Sequence, residues 1–308
     1  MLIRRLKSTA LLAMTFAGTH AVAAQCDQDP IQAIPHRAAD APVGSEFART
    51  VESLSGPQRD AEVRSQVLSG NVPQFLRHLA PVTVTSADST ITVCVLPDYL
   101  AVGSDKDFVF VPLGLEAALD IAERFGFELP TPKLVDAIYQ ESAVKLAPQP
   151  LPASDQMRST DYVVHHTQMI TRQRSELGAS LGELTAGDKK DLVLTSLLWQ
   201  NPGRVAIYGW HKRVDEPIQP LSTVHGARYA DYSHGIRLVS SIVYVNGIKR
   251  SIDDVLAEPR LAALLTREGP LTRIGERLNV LMARMAKDRA TATASWLQPI
   301  HESSSARR

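Results

Sequence analysis

Leu192-Val193-Leu194-Thr195-Ser196-Leu197-Leu198-Trp199, then Gln200-Asn201-Pro202-Gly203, then Arg204-Val205-Ala206-Ile207-Tyr208-Gly209-Trp210 reads as strand, turn and strand. Two apolar, β-prone runs around a short Asn-Pro-Gly turn carry the sequence signature of a hairpin. If Trp199 faces Arg204, antiparallel pairing sets Asp191 opposite Lys212 and Leu192 opposite His211, at the open end of the hairpin. The loop bearing Asp188 enters at that same end.

Outward from this hairpin the chain mixes helical and extended patterns. On the C-terminal side Arg237 to Val245 is a further strand, Asn246-Gly247 predicts a type I′ turn into Ile248-Lys249, and helical patterns run from Ser251 to Lys287. On the N-terminal side a helix is expected over Gln58 to Ser69. A β-prone stretch follows from Thr83 to Val111, turning at Gly103-Ser104-Asp105. Leu115, Ala118, Leu119, Ala122 and Phe125 lie on one helical face that Gly126 ends. Thr131 caps the next helix, with Pro132 in its first position, and that helix is expected to reach Lys145. Another spans Thr160 to Leu177. Together these elements imply an α+β, or mixed α/β, fold with a largely antiparallel sheet in the second half flanked by helices. The Pro-rich segment 147–152 divides the chain into residues 51–150, an N-terminal α/β subdomain, and 151–308, a C-terminal α+β subdomain. Residues 24–50 show no periodicity and read as an extended lead-in.

The first 23 residues read as a signal peptide. Arg4, Arg5 and Lys7 precede an apolar run from Ala10 to Gly18, and Ala21-Val22-Ala23 offers small residues for cleavage. A periplasmic or secreted protein is therefore expected. A lipid anchor on Cys26 is not, because Gln25 stands where a small residue is needed. No apolar run reaches the roughly 20 residues that span a bilayer, so no transmembrane segment is expected. The formal net charge is +0 and no Lys/Arg stripe is present, which argues against a nucleic-acid partner. The two cysteines, Cys26 and Cys94, show no metal spacing. In an oxidising compartment they read as one disulfide, and the alternative is a pair of separate thiols.

The densest polar segment is Ser222-Thr223-Val224-His225-Gly226-Ala227-Arg228-Tyr229-Ala230-Asp231-Tyr232-Ser233-His234-Gly235. With His211 delivered by a strand end, the pool His211, His225, Asp231 and His234 offers the three ligands of a catalytic zinc. A metal-free version uses a histidine as general base, oriented by Asp188, Asp191 or Asp231, with Arg237 or Arg228 stabilising a developing anion. Hydrogen bonding and loop packing are the structural alternative for each histidine. Of His165 and His166, at most one faces the cluster, since neighbours on a helix point to different sides. Asp98, Asp105 and Asp107 suit either a cation or turn formation.

His225-Gly226 and Ser233-His234-Gly235-Ile236-Arg237-Leu238 are similar to the HG…SHGC-[IV]-R-[LM] pattern of L,D-transpeptidases, secreted cross-linkers of peptidoglycan that use a cysteine nucleophile. The similarity is confined to residues 225–238, with a shorter gap between its halves than that family uses. No cysteine lies between Gly235 and Arg237, so cysteine-based acyl transfer is not implied. The expected function is an exported hydrolase of a cell-envelope or extracellular polymer, working through a His/Asp site with or without zinc. No GxGxxG or P-loop is present to hold a nucleotide cofactor. The alternative is a non-catalytic exported protein that binds a glycan, polymer or small-molecule ligand with Tyr208, Trp210, Tyr229 and Tyr232.

Overall fold

The computed structural model describes Cys26, residues 34–54 and residues 56–296, with side chains described as far as residue 287. The expected signal peptide lies outside the described residues. The lead-in is not wholly extended. Gly44–Thr50 forms helix α1, whose first turn is closed by Glu46 accepting from the Val43 amide at 3.1 Å. Gly44 is required there, because a Cβ would stand 2.4 Å from the Phe108 carbonyl carbon.

Helix α2 (Pro57–Leu68) leads into the first strands, β1 (Ala80–Thr85) and β2 (Thr90–Val95), followed by a small hairpin of β3 (Ala101–Ser104) and β4 (Asp107–Phe110). Helix α3 (Leu115–Phe125) stops at Gly126, which takes the left-handed conformation expected of a C-cap. After β5 (Phe127–Glu128) comes α4 (Pro132–Glu141), with the Thr131 side chain accepting from the Leu134 amide at 3.2 Å. This helix ends earlier than its expected Lys145. The Ser142 hydroxyl turns back to the Ile138 carbonyl, and β6 (Val144–Lys145) pairs in parallel with β7 (Thr185–Ala186). Between them lies α5 (Thr160–Glu176).

The second half supplies β8 (Lys190–Leu192), a single helical turn α6 (Leu197–Gln200), β9 (Ile207–Arg213), β10 (Glu216–Ser222), β11 (His234–Gly235), β12 (Val239–Val245) and β13 (Ile248–Ser251). Helices α7 (Ile252–Ala257), α8 (Pro259–Leu265) and α9 (Ile274–Trp296) follow. The fold is α+β. The main sheet is antiparallel, ordered β1-β2-β12-β13 with β5 also on β12, and it draws strands from both sides of the 147–152 segment. Ile91 to Val95 are all buried in it. The β12–β13 turn is the predicted one, with Asn246 and Gly247 both at positive φ between the paired Val245 and Ile248. Cys94 of β2 is disulfide-bonded to Cys26, their Cα atoms 5.4 Å apart. No helix among the described residues is long and apolar enough to cross a membrane.

The decisive hairpin differs from its sequence reading. Only Lys190–Leu192 of the first arm is strand. Leu197–Gln200 folds as a helical turn, tied down by Glu268 accepting from the Ser196 amide at 2.8 Å. A short apolar run carries no periodicity that separates strand from buried helix. The β8–β9 register pairs Asp191 with Tyr208 instead of Lys212, and Leu192 with Ile207 instead of His211. In the four-stranded sheet β10-β9-β8-β11, β11 joins the far edge of β8 in parallel, with His234 beside Lys190. Strand β8 thus stands between β11 and β9.

Candidate functional site

Backbone bonds fix the 222–237 loop before any side chain is considered. The Val205 amide donates to the His225 carbonyl at 3.1 Å, the Ala227 amide to Gly203 at 2.8 Å, and the Lys190 amide to Ser233 at 2.8 Å. Asp231 then organises the loop's interior. Its Oδ1 accepts from the Ser233 amide at 2.9 Å and the Ser233 hydroxyl at 2.5 Å, while Oδ2 accepts from the Tyr229 hydroxyl at 3.1 Å. A side chain folded onto its own backbone two residues on is a habit of aspartate in turns. Tyr229 in turn stacks on His225, ring centroids 4.1 Å apart and nearly parallel. Behind this half-buried pair lies His234, fully buried, 6.1 Å from His225 and 5.7 Å from Tyr229 between ring centroids.

Among the described residues neither ring nitrogen of His234 has a hydrogen-bond partner, and Nε2 is 3.9 Å from Asp231 Oδ2. Burial pushes His234 down to about 4, against the pull of Asp231, so the imidazole is neutral at pH 7. His225 also lies below its ordinary value, from burial first, with Lys190 adding to the effect. Burial alone would raise Asp231. The Ser233 hydrogen bonds and Lys190, joined by His234 once that ring is protonated, outweigh it and hold the carboxyl below its ordinary value. Two neutral imidazoles thus face one carboxylate, and one of the two reaches solvent.

The remaining expected site residues are elsewhere. His211 is on β9, where Gly209 and Trp210 both have positive φ. Two such residues in succession break the strand's alternation, so Tyr208 and His211 turn to the same carboxylate, Asp136 of α4. Tyr208 Oη is 2.8 Å and His211 Nε2 2.9 Å from Asp136 Oδ1, and Arg267 Nη1 is 2.6 Å from Oδ2. His211 also stacks on Tyr139 of the same helix at 4.7 Å. Among the described residues no three His, Cys, Asp or Glu side chains gather as metal ligands. Within the pool His211, His225, Asp231 and His234, strand β8 separates His211 from the other three.

Asp188, Asp191 and Arg237 belong to a third group, buried around Tyr99. Arg237 lies over the Tyr99 ring at 4.2 Å and donates to the Leu96 and Thr185 carbonyls at 2.9 and 2.6 Å. Tyr99 donates to Asp191 Oδ2 at 2.9 Å, and Arg174 pairs with Asp98. Lys189 donates to the Tyr232 carbonyl at 2.8 Å and its Nζ is 3.1 Å from His166 Nδ1. Burial raises Asp188 to about 7 and Asp191 to about 6, and lowers Lys189 to about 8. Among the described residues Asp188 and Asp191 make no hydrogen bond to a histidine, and Asp231 Oδ2 stands 3.9 Å from His234 Nε2. Arg237 is spent on carbonyls and is not free for a substrate anion. Of the adjacent pair on α5, His166 is buried and His165 exposed. Asp105 accepts from the Phe75 amide and Asp107 from the Ser45 amide and hydroxyl, so these aspartates tie the β3–β4 hairpin to earlier segments of the chain.

The same contacts account for the Ser233-His234-Gly235-Ile236-Arg237 pattern. Ser233 holds Asp231, Gly235 leaves room for Tyr99, since a Cβ there would lie 2.4 Å from its ring, and Arg237 covers that ring. Asp136, Tyr99 and Lys189 were not singled out from sequence. The one available signal was Asp188-Lys189-Lys190-Asp191, four charges at the head of a buried strand. Comparison with protein-family models, with curated proteins and with solved structures found no match.

Proposed function

We propose that the protein is an exported hydrolase of a cell-envelope or extracellular polymer, working at His225 with Asp231 and His234. One observation carries this reading: a buried, unpartnered, neutral His234 beside a solvent-reaching neutral His225, both facing an ionised carboxylate. A neutral imidazole below its ordinary pKa can accept a proton from water at pH 7. The imidazolium formed on His225 is offset by Asp231, whose field favours the charged ring. Returning that proton to the leaving group completes an acid–base cycle. Tyr229 stacks on His225 and bonds Asp231, and so sets both in place. Export is supported by the charged, apolar and small-residue order of the first 23 residues and by the Cys26–Cys94 disulfide.

A non-catalytic ligand-binding protein is the second reading, favoured by the way the His225–Tyr229 stack covers His234. Against it, Trp210 and Tyr232 are buried and the Tyr208 and Tyr229 hydroxyls are spent on carboxylates. Incubation with a panel of purified envelope and extracellular polymers, with release of new chain ends as the readout, separates the two. Wild type should release ends and His225→Asn should do so about 10² to 10⁴ times more slowly, the range for loss of a general base. Polymer bound without release by both proteins would establish the binding reading, and equal release by both would place the chemistry elsewhere.

A further inference from the structure

Helix α9 buries Ile274, Leu281 and Met285, the inward stripe of an amphipathic helix. On a neighbouring stripe Arg277, Val280 and Arg284 follow at intervals of three and four residues, which places them in one row along the helix. Val280 is 50% exposed between the two arginines. This row lines a groove of about 260 Å³, which Leu281 floors and which Trp199 of α6 and Pro202 share.

The charges of the groove do not balance. Among the described residues Arg273, Arg277 and Arg284 line it against one carboxylate, Glu276. Arg273 is committed to that carboxylate, donating from Nε to Oε2 at 2.6 Å and from Nη2 to Oε1. Arg277 lies over the Trp199 ring, its guanidinium carbon 5.3 Å from the centroid, and donates from Nε to the Thr272 carbonyl at 3.1 Å. Arg284 is exposed and has no hydrogen bond or ion pair among the described residues. Glu268, close to Trp199 in the fold, is turned to the Ser196 amide and hydroxyl, and counting it with the groove still leaves three cations against two carboxylates. Glu123, Glu128 and Asp253 gather on a different face of α9, around Gly275 and Leu278.

We propose that this groove binds a small amphiphilic carboxylate, with its apolar body against Trp199, Val280 and Leu281 and its carboxylate on Arg284. An indole face and aliphatic side chains remove apolar surface from water, and one unpaired guanidinium fork fixes the anionic end. Arg277 stands seven residues before Arg284, about 10.5 Å along the helix, so it packs on the indole and adds its field without competing for the same carboxylate. This site is independent of the hydrolase reading, since it shares no side chain with His225, Asp231 or His234.

The test titrates octanoate into the whole protein, with octanamide as its neutral counterpart and acetate as a carboxylate without the apolar body. The Trp199 indole N–H resonance, assigned with Trp199→Phe, reports occupancy. Octanoate should shift it saturably, and octanamide and acetate should each bind about tenfold more weakly or worse, as expected for loss of a charged hydrogen bond or of the buried chain. Arg284→Gln should weaken octanoate by about tenfold or more, whereas Arg284→Lys keeps the charge and should retain most of the affinity. Both Arg277 and Arg284 are exposed, so Arg277→Gln, Arg284→Gln and the double variant should melt as wild type does. Absence of a saturable shift, equal binding of octanoate and octanamide, or wild-type octanoate affinity in the double variant overturns the site.

Discussion

Two charged regions lie on either side of β11, and they treat burial in opposite ways. Around Tyr99, the groups Asp98, Arg174, Asp188, Lys189, Asp191 and Arg237 are all buried at close quarters as opposite charges, with bonds to carboxylates or carbonyls for each cation, although both Asp188 oxygens, Asp191 Oδ1 and Arg237 Nε lack a hydrogen-bond partner among the described residues. Around Asp231, one imidazole is buried with no hydrogen-bond partner among the described residues, and its neighbour is half open. Charges buried together in matched sets hold a fold in one arrangement, and removing one member leaves the rest uncompensated. Groups left neutral and partly reachable are poised to exchange protons. On the reading proposed above, the first region is structural and the second carries the chemistry.

The largest effect is expected in the Tyr99 region. Arg237→Met should cost about 3 to 5 kcal/mol in urea unfolding, as expected when one partner of a buried charge set is removed. A loss near zero would mean that this set does not hold β11 to the core.

Acid should next expose the second region. His234 is about 4 folded against an ordinary 6.5, so the unfolded chain binds its proton first as pH falls. Its contribution is complete above pH 6.5 and is lost progressively toward pH 4, a difference of roughly 3 kcal/mol. Unfolding measured from pH 7 to 4 should fall more steeply for wild type than for His234→Gln. Parallel curves would show that His234 titrates as a solvated side chain.

Gly235→Ala is smaller and tests the contact between the regions. Its Cβ would meet the Tyr99 ring at 2.4 Å, and overpacking of this kind costs about 1 to 3 kcal/mol. Tyr99→Ala made together with it should recover part of that loss relative to the sum of the single variants. The smallest stability effect belongs to His225→Asn, within about 0.5 kcal/mol of wild type because the ring is half exposed. A cost of several kcal/mol there would move His225 to the structural side of the comparison.

Much of the architecture was legible where local chemistry decides it. Thr131-Pro132, Gly126 and Asn246-Gly247 each mark a boundary through a cap or a positive φ, and each boundary stands where its residues put it. The β8–β9 register was not legible, because Leu192 to Trp199 is mostly apolar without a periodicity that separates strand from helix, and the Glu268 contact that holds Ser196 comes from far along the chain. His225, Asp231 and His234 come together because they share one loop whose Asp231-Ser233 turn is local. His211 leaves that group through two consecutive left-handed residues, and its partner Asp136 lies on a helix that no sequence spacing ties to β9.

The most direct measurement is a pH titration of the histidines followed by the Cε1 proton resonances, with His225→Asn and His234→Gln used to assign the pair. His225 should protonate below pH 6.5 and His234 should stay neutral until about pH 4, with the His225 midpoint moving in His234→Gln through loss of its neighbour. Two independent midpoints near 6.5, unaffected by either substitution, would contradict the account and make this loop an ordinary solvated surface.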